Sequence, residues 1–227
     1  LREMDINPII VDEDGAIAVD ARIVIDHVQP QPEGQSRQYG HLAILPYPSR
    51  YKQLWPLPGG GEFTLRPIRP DDAQMLQDFV QKLDPESRYM RFVSRSKELS
   101  PAMLAQLTLI DYDREMALVA TQEVESVDEE GVTHTTERII GMSQYVTNPD
   151  KSSCEFSIMV GDDFGGKGLG SRLMLSIMEE ARDKGLKEID GLVLANNQTM
   201  LALMRKLGFT IQKFVEDEDF KLCSHKL

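Results

Sequence analysis

The stretch from Cys154 to Gly185 most constrains how this chain can fold. An extended run, Cys154-Glu155-Phe156-Ser157-Ile158-Met159-Val160, leads into a turn at Gly161-Asp162-Asp163-Phe164 and then into Gly165-Gly166-Lys167-Gly168-Leu169-Gly170. From there Leu169, Leu173, Met174, Ile177, Met178 and Ala181 recur at helical spacing, and Lys184-Gly185 supplies a stop. Strand, glycine turn and helix N-terminus therefore follow in order. That order leaves several backbone N–H groups without intrahelical acceptors, aimed at one spot and reinforced by about half a positive charge from the helix dipole. A phosphate group is what such a place accepts.

Three phosphate-cradling patterns can be compared with the turn, against the alternative of a plain glycine-rich connection. A Walker A loop needs G-x-x-x-x-G-K followed by Ser or Thr. Gly161 to Lys167 comply, but Gly168 stands where the magnesium-binding hydroxyl belongs. A dinucleotide fingerprint, G-x-G-x-x-G, fits Gly166 and Gly168 and then fails at Ser171. The third pattern is Arg or Gln, two residues, Gly, one residue, then Gly or Ala. Gly165 to Gly170 meet it everywhere except the first position.

That third pattern is the pyrophosphate loop of the GNAT superfamily of N-acetyltransferases, which this chain resembles from roughly Gln53 to Leu227. The resemblance rests also on Leu65 to Asp72, and on Asn197 and Met200 ahead of Arg205-Lys206-Leu207-Gly208-Phe209. It implies an α+β domain: a mostly antiparallel sheet with splayed central strands and helices on both faces. It implies acetyl-CoA as co-substrate. The backbone of Ile158, Met159 and Val160 would pair with the pantetheine arm, and the amides of Gly165, Gly166, Lys167, Gly168, Leu169, Gly170 and Ser171 would hold the pyrophosphate. Asn197 and Met200 are assigned to the same cofactor site. A side chain at Gly168 or Gly170 would obstruct the close approach. Gly165 departs from the family's Gln or Arg and removes one side-chain contact.

Composition bounds the remaining classes. Apolar content of 41% and charged content of 27% are those of an ordinary globular protein, and no apolar run approaches 18 residues. No membrane partner is expected. Two cysteines, Cys154 and Cys223, make neither a disulfide framework nor a metal cluster, so a reducing cytoplasm is the expected compartment and no metal is expected. A net charge of −12 argues against nucleic acid as a partner and is compatible with a basic acceptor surface.

Three segments are expected. Residues 1–27 read as a hairpin turning at Asp14-Gly15, with Ala16 to Ile25 as its returning strand. The run Asp5-Ile6-Asn7-Pro8 with Asp20-Ala21-Arg22 resembles the closing hairpin of the ATP-grasp domain of NDP-forming acyl-CoA synthetases. That resemblance would give Asn7 and Asp20 to the nucleotide's magnesium, but the rest of such a domain is absent, so the hairpin is expected to be a remnant of a longer chain. Residues 28–51, rich in Gln, Pro and Gly, read as a linker. Residues 52–227 form the acetyltransferase-like domain. Its expected helices begin near Asp72, at Asp84-Pro85 and at Ser100-Pro101, where an N-cap residue precedes proline. Strands are expected at Glu115 to Glu123, Arg138 to Val146 and Glu188 to Leu194, with a solvated acidic loop, Glu125 to Gly131, between the first two.

Glu155 is the candidate catalytic residue. Alternation along the strand sets Phe156, Ile158 and Val160 on one face, and Glu155, Ser157 and Met159 on the other. A lysine amine with pKa near 10.4 must lose a proton before it attacks a thioester; at pH 7 that costs roughly 4.6 kcal/mol. A carboxylate base nearby assists the step by about 10²–10⁴-fold. A glutamate on a surface strand is the alternative, but related protein acetyltransferases carry their base at this place. The tyrosine with which many members reprotonate the departing thiolate falls on Met204 here, and water is left to serve. Cys154 is expected in the core. Together the hairpin and the acetyltransferase domain resemble bacterial Pat-type protein lysine acetyltransferases. This implies a protein lysine acceptor, possibly an acyl-CoA synthetase, and synthetase-like domains upstream in the full-length chain. Two other readings stay open: a small-molecule amine acetyltransferase, and a regulatory module that binds acetyl-CoA.

Overall fold

A computed structural model describes residues 3–6, 8–13, 15–24, 47–57, 60–94, 96–127 and 133–227. The chain divides into two compact units, residues 1–38 and 39–227.

In the first unit, β1 (Glu3–Ile6), β2 (Ile9–Asp12), β3 (Gly15–Ala18) and β4 (Ala21–Val24) form a nested hairpin. β2 pairs with β3 and β1 with β4, and Val19 N donates to Pro8 O at 3.0 Å between the two ladders. The returning strand is thus interrupted at Val19-Asp20 rather than continuous. Asp12 Oδ1 accepts from Gly15 N at 3.0 Å and closes the turn. Ile9, Ile10, Val11 and Ile17 all remain exposed. Asp20 is exposed; Asn7, Asp14 and Ile25 lie outside the described residues.

The second unit runs β5 (Gln53–Pro56), β6 (Glu62–Pro67), α1 (Ala73–Lys82), α2 (Pro85–Phe92), α3 (Pro101–Thr108), β7 (Glu115–Val127), β8 (Thr133–Thr147), β9 (Ser153–Val160), α4 (Leu169–Asp183), β10 (Glu188–Leu194), α5 (Gln198–Lys206), β11 (Thr210–Lys213) and β12 (Phe220–Lys226). One eight-stranded sheet results, ordered β11-β12-β10-β9-β8-β7-β6-β5. Every neighbouring pair is antiparallel except β9 with β10.

Alternation along the central strands builds a core on each face. Met116, Leu118 and Ala120 of β7, with Cys154, Phe156 and Ile158 of β9, meet Leu169, Leu173, Met174, Ile177 and Ala181 of α4. Ala117 and Val119 of β7, with Met159 of β9, meet Leu76, Phe79 and Val80 of α1 and Leu107 of α3. The caps follow the sequence. Ser100 Oγ accepts from Met103 N at 3.2 Å ahead of α3, and Gly185, with φ +82°, ends α4.

β7 and β8 are longer than their apolar pattern suggests. Beyond a register shift at Ala120/Thr121 they continue as a polar ribbon pairing Gln122 with Arg138 and Val127 with Thr133. Polar residues on both faces give no alternation to read. Glu125, expected in the loop, is in β7; residues 128–132 lie outside the described residues. At the other end, Tyr47 to Tyr51 were assigned to the linker but touch the domain. Tyr47 Oη donates to Pro67 O at 2.8 Å, Tyr51 Oη donates to Glu180 Oε1 at 3.3 Å, and Ser49–Tyr51 form a short 3-10 turn. The rest of the linker, residues 28–46, lies outside the described residues.

Candidate active site

The site follows from how β9 and β10 part. Their parallel register covers Ser153–Glu155 against Glu188–Asp190 and then stops, although β9 continues to Val160 and β10 to Leu194. The other edge of β9 stays paired with β8 along Cys154–Val160. Divergence begins at Phe156 and Gly191. A Cβ on Gly191 would lie 2.7 Å from the Phe156 ring, so that ring occupies the space where a side chain would be. The ring also packs edge-on against Phe209. The strand edge from Phe156 to Val160 is left facing a gap rather than a neighbour. Extended backbone with free N–H and C=O groups is what a pantetheine amide can pair with.

The wide end of the gap meets the glycine loop. Gly166 and Gly168 have φ +71° and +79°, in the left-handed region that favours glycine. Arg172 N is the first amide of α4 to bond back, to Gly168 O at 3.0 Å. The amides of Leu169, Gly170 and Ser171 thus head the helix with no preceding turn to accept them. Gly170 has a packing reason to be glycine as well: a Cβ there would sit 3.3 Å from Leu203 Cδ2 and 3.5 Å from Val160 Cγ2.

Gap and loop form one cleft of about 750 Å³. Ile158, Met159, Val160, Gly165, Gly166, Gly168, Gly170, Ser171, Asn197 and Met200 line it. Two other loop residues turn their side chains elsewhere. Leu169 is buried in the α4 core, and Lys167 sets Nζ over the Phe164 ring at 5.6 Å. Asn197 also caps α5, its Oδ1 accepting from Met200 N at 3.0 Å. Glycines in left-handed conformation, an unpaired strand edge and free helix-terminal amides together suit a pyrophosphate joined to an amide-bearing arm, as acetyl-CoA has.

Glu155 lies at the closed end of the splay, where β9 and β10 are still paired, and is not among the residues that line the cleft. It is exposed and shares the outer face of β9 with Ser157 and Met159. Its register partner on β10 is Asp190, whose carboxyl is pushed up by burial and then by the charges of Glu155, Glu188 and Asp150. Asp190 was not singled out in the sequence. The alternation Ile189, Gly191, Val193 did carry the signal, since it turns Asp190 toward the face of Glu155.

A second residue missed by sequence is Arg91 of α2. It lines the cleft and donates from Nη2 to Ser157 Oγ at 3.0 Å. α2 is held there from the turn that precedes the glycine loop: Asp162 Oδ2 accepts from Asp84 N at 2.7 Å and Asp162 Oδ1 from Ser87 Oγ at 2.5 Å.

Cys154 is fully buried, and burial pushes its thiol up to about 12, which leaves no thiolate for a covalent step near neutral pH. Met204 is fully buried and has no proton to give. No group of three or more His, Cys, Asp or Glu able to hold a metal occurs among the described residues. No helix among them is long and apolar enough to cross a membrane.

Residues 62–210 match the family model described as Acetyltransferase (GNAT) domain. An acetyltransferase of Pseudomonas aeruginosa is 34% identical over 161 residues, covering 71% of this chain and 82% of that protein. Acetyltransferase Pat of Mycolicibacterium smegmatis is 29% identical over 150 residues, covering 66% of this chain but only 41% of that longer protein. Among solved structures, the GNAT domain of S. lividans PAT superposes with a TM-score of 0.69 at 24% identity, covering 80% of this chain and all of that one. The chain belongs to the GNAT acetyltransferase family.

Proposed function

We propose that this acetyltransferase moves the acetyl group of acetyl-CoA onto the side-chain amine of lysine in a protein, with Glu155 as general base. The observation that carries the reading is the splay. An arm entering from the glycine loop and pairing with β9 must end where the strands close, beside Glu155. The lysine nitrogen attacks the thioester carbonyl carbon, a C–N bond forms, and the C–S bond breaks with its electron pair leaving on sulfur. The amine proton passes to Glu155, directly or through water, and the thiolate takes a proton from solvent because Met204 stands where a phenol would serve. Similarity to the Pat acetyltransferase supports the choice of a protein lysine, an acyl-CoA synthetase among the acceptors to try. Reading residues 1–27 as a remnant of an ATP-grasp synthetase domain rests on the Asp5–Pro8 and Asp20–Arg22 pattern alone.

The test is Glu155→Gln, which keeps size and removes basicity. It should lower kcat by about 10²–10⁴ while acetyl-CoA affinity changes little. A near-normal rate at pH 7 refutes the base assignment. Labelled acetyl-CoA incubated with cell extract should mark lysines on discrete proteins; label confined to small amines overturns the protein-acceptor reading.

A further inference from the structure

The acceptor side of the cleft contains a cation that the acetyl-transfer chemistry does not account for. Arg91 reaches from α2 to the outer face of β9, where Nη2 is fixed to Ser157 Oγ at 3.0 Å. An arginine side chain has five N–H donors and no way to shed its charge in a protein. Arg91 Nε is buried and has no hydrogen-bond partner among the described residues. Burial lowers the Arg91 pKa, and the charge of Glu155 opposes that shift. A desolvated guanidinium with donors left over is costly unless a ligand oxygen completes it. The pyrophosphate is not that ligand. It belongs near Gly165–Gly170, beyond Val160, and Val160 alone is three residues, or about 10 Å, along the strand from Ser157.

The spacing identifies the oxygen. Ser157 and Glu155 are two residues apart on one face of β9, hence about 7 Å apart. A lysine Cα and its Nζ are separated by five bonds, spanning about 6 Å when extended, and the residue's carbonyl lies one bond beyond Cα. In an α-amino acid the nitrogen and carboxylate flank the same carbon and cannot cover the distance. A bare amine meets attraction from Glu155 and Asp190 but repulsion from Arg91. An amine with a carbonyl oxygen one lysine length away is matched at both ends.

We propose that Arg91 is an acceptor-binding residue: its guanidinium takes the main-chain carbonyl oxygen of the acceptor lysine while the ε-amine is presented to Glu155. This rests on the lysine reading above and extends it to how the backbone of the acceptor is read.

The experiment compares two amines with the full 227-residue chain and acetyl-CoA, following CoA release. Nα-acetyl-lysine N-methylamide carries the carbonyl; n-pentylamine has the same amine-bearing chain without it. Wild type should favour the lysine amide in kcat/KM by about 10–100-fold, the worth of one charge-assisted hydrogen bond. In Arg91→Ala and Arg91→Gln that ratio should fall to within threefold of one, and Arg91→Lys should restore part of it. Should the alanine variant melt early, Ser157→Ala, which removes only the tether, should lower the ratio in the same direction by a smaller factor. A wild-type ratio near one, or a ratio unchanged by Arg91→Ala, overturns the proposal and leaves the lysine reading standing. If wild type acetylates neither amine but accepts the α-amine of free amino acids, the lysine reading falls and this proposal with it.

Discussion

Tyr51→Phe removes a single oxygen, and the structure fixes what that oxygen does. Tyr51 Oη donates to Glu180 Oε1 at 3.3 Å and accepts from Arg50 Nη2 at 2.8 Å. Glu180, on the core-facing side of α4, is 1% exposed, and its Oε2 accepts a hydrogen bond from the hydroxyl of the fully buried Tyr145. Burial raises the Glu180 pKa above its usual 4.5; Tyr145, Lys184, Tyr51 and Arg50 each pull it back. A hydrogen bond to a charged group contributes about 1.5–3 kcal/mol, and a long one belongs at the low end. Losing about 1.5 kcal/mol should lower the melting temperature of a domain this size by about 3–6 °C. Because the folded Glu180 pKa is raised, the native state holds more protons than the unfolded chain between the two values. Stability therefore falls as pH rises through that window. Tyr51→Phe deletes a group that pulls this pKa down, so it should extend the decline to higher pH. Its cost should be largest where Glu180 is ionised and smaller in acid. Thermal melts from pH 4.5 to 8, with Tyr145→Phe and the double variant completing a cycle, measure all of this. Coupling near zero between the two tyrosines, or a Tyr51→Phe melt within 1 °C of wild type at pH 8, refutes the shared buried carboxylate.

Two further outcomes are expected. Gly168→Asp should abolish acetyl-CoA binding in calorimetry, because it puts bulk and negative charge at the head of α4. Gly185→Asp, at φ +82° against +79° for Gly168, should show a similar loss of about 1 kcal/mol in stability yet retain affinity; unchanged binding in Gly168→Asp means the loop is not the phosphate site. Cys154, buried with its thiol up near 12, should resist iodoacetamide at pH 7.5 in the native state, and Cys154→Ala should keep most activity; a covalent acetyl-enzyme requires the reverse.

The sequence was legible where one physical signal governed a segment. α4 showed its 3.6-residue apolar period and β9 its alternation, and both formed within a residue or two of their expected ends; Ser100-Pro101 marked the start of α3. The glycine turn was legible because left-handed backbone at Gly166 and Gly168 restricts residue choice. Signals failed where partners lay far apart in the chain. Tyr47 and Tyr51 looked like linker residues because nothing local reveals that Pro67 O and Glu180 Oε1 await their hydroxyls. Asp190 had no apparent role until the parallel register placed it beside Glu155. Nothing local distinguishes Arg91, because its contact is with Ser157, 66 residues later. Gly191 carries no visible reason until the Phe156 ring is found in its place.

Those long-range contacts also tie the two ends of the cleft together. Asp162 belongs to the connection that delivers the chain from β9 to the glycine loop, yet both its oxygens are used by the start of α2, through Asp84 N and Ser87 Oγ. An aspartate at a helix N-terminus is favoured by both the free amides and the dipole. α2 in turn carries Arg91 to Ser157, three residues before Val160 and two after Glu155. A circuit thus runs from the loop through Asp162 to α2, through Arg91 to β9, and along β9 back to the loop. Whatever fixes the backbone of Gly161 to Gly170 also fixes the helix that walls the acceptor side. A phosphate group held by the loop amides would therefore stiffen the wall of the proposed acceptor site, although the phosphate and amine sites proposed above lie at opposite ends of β9.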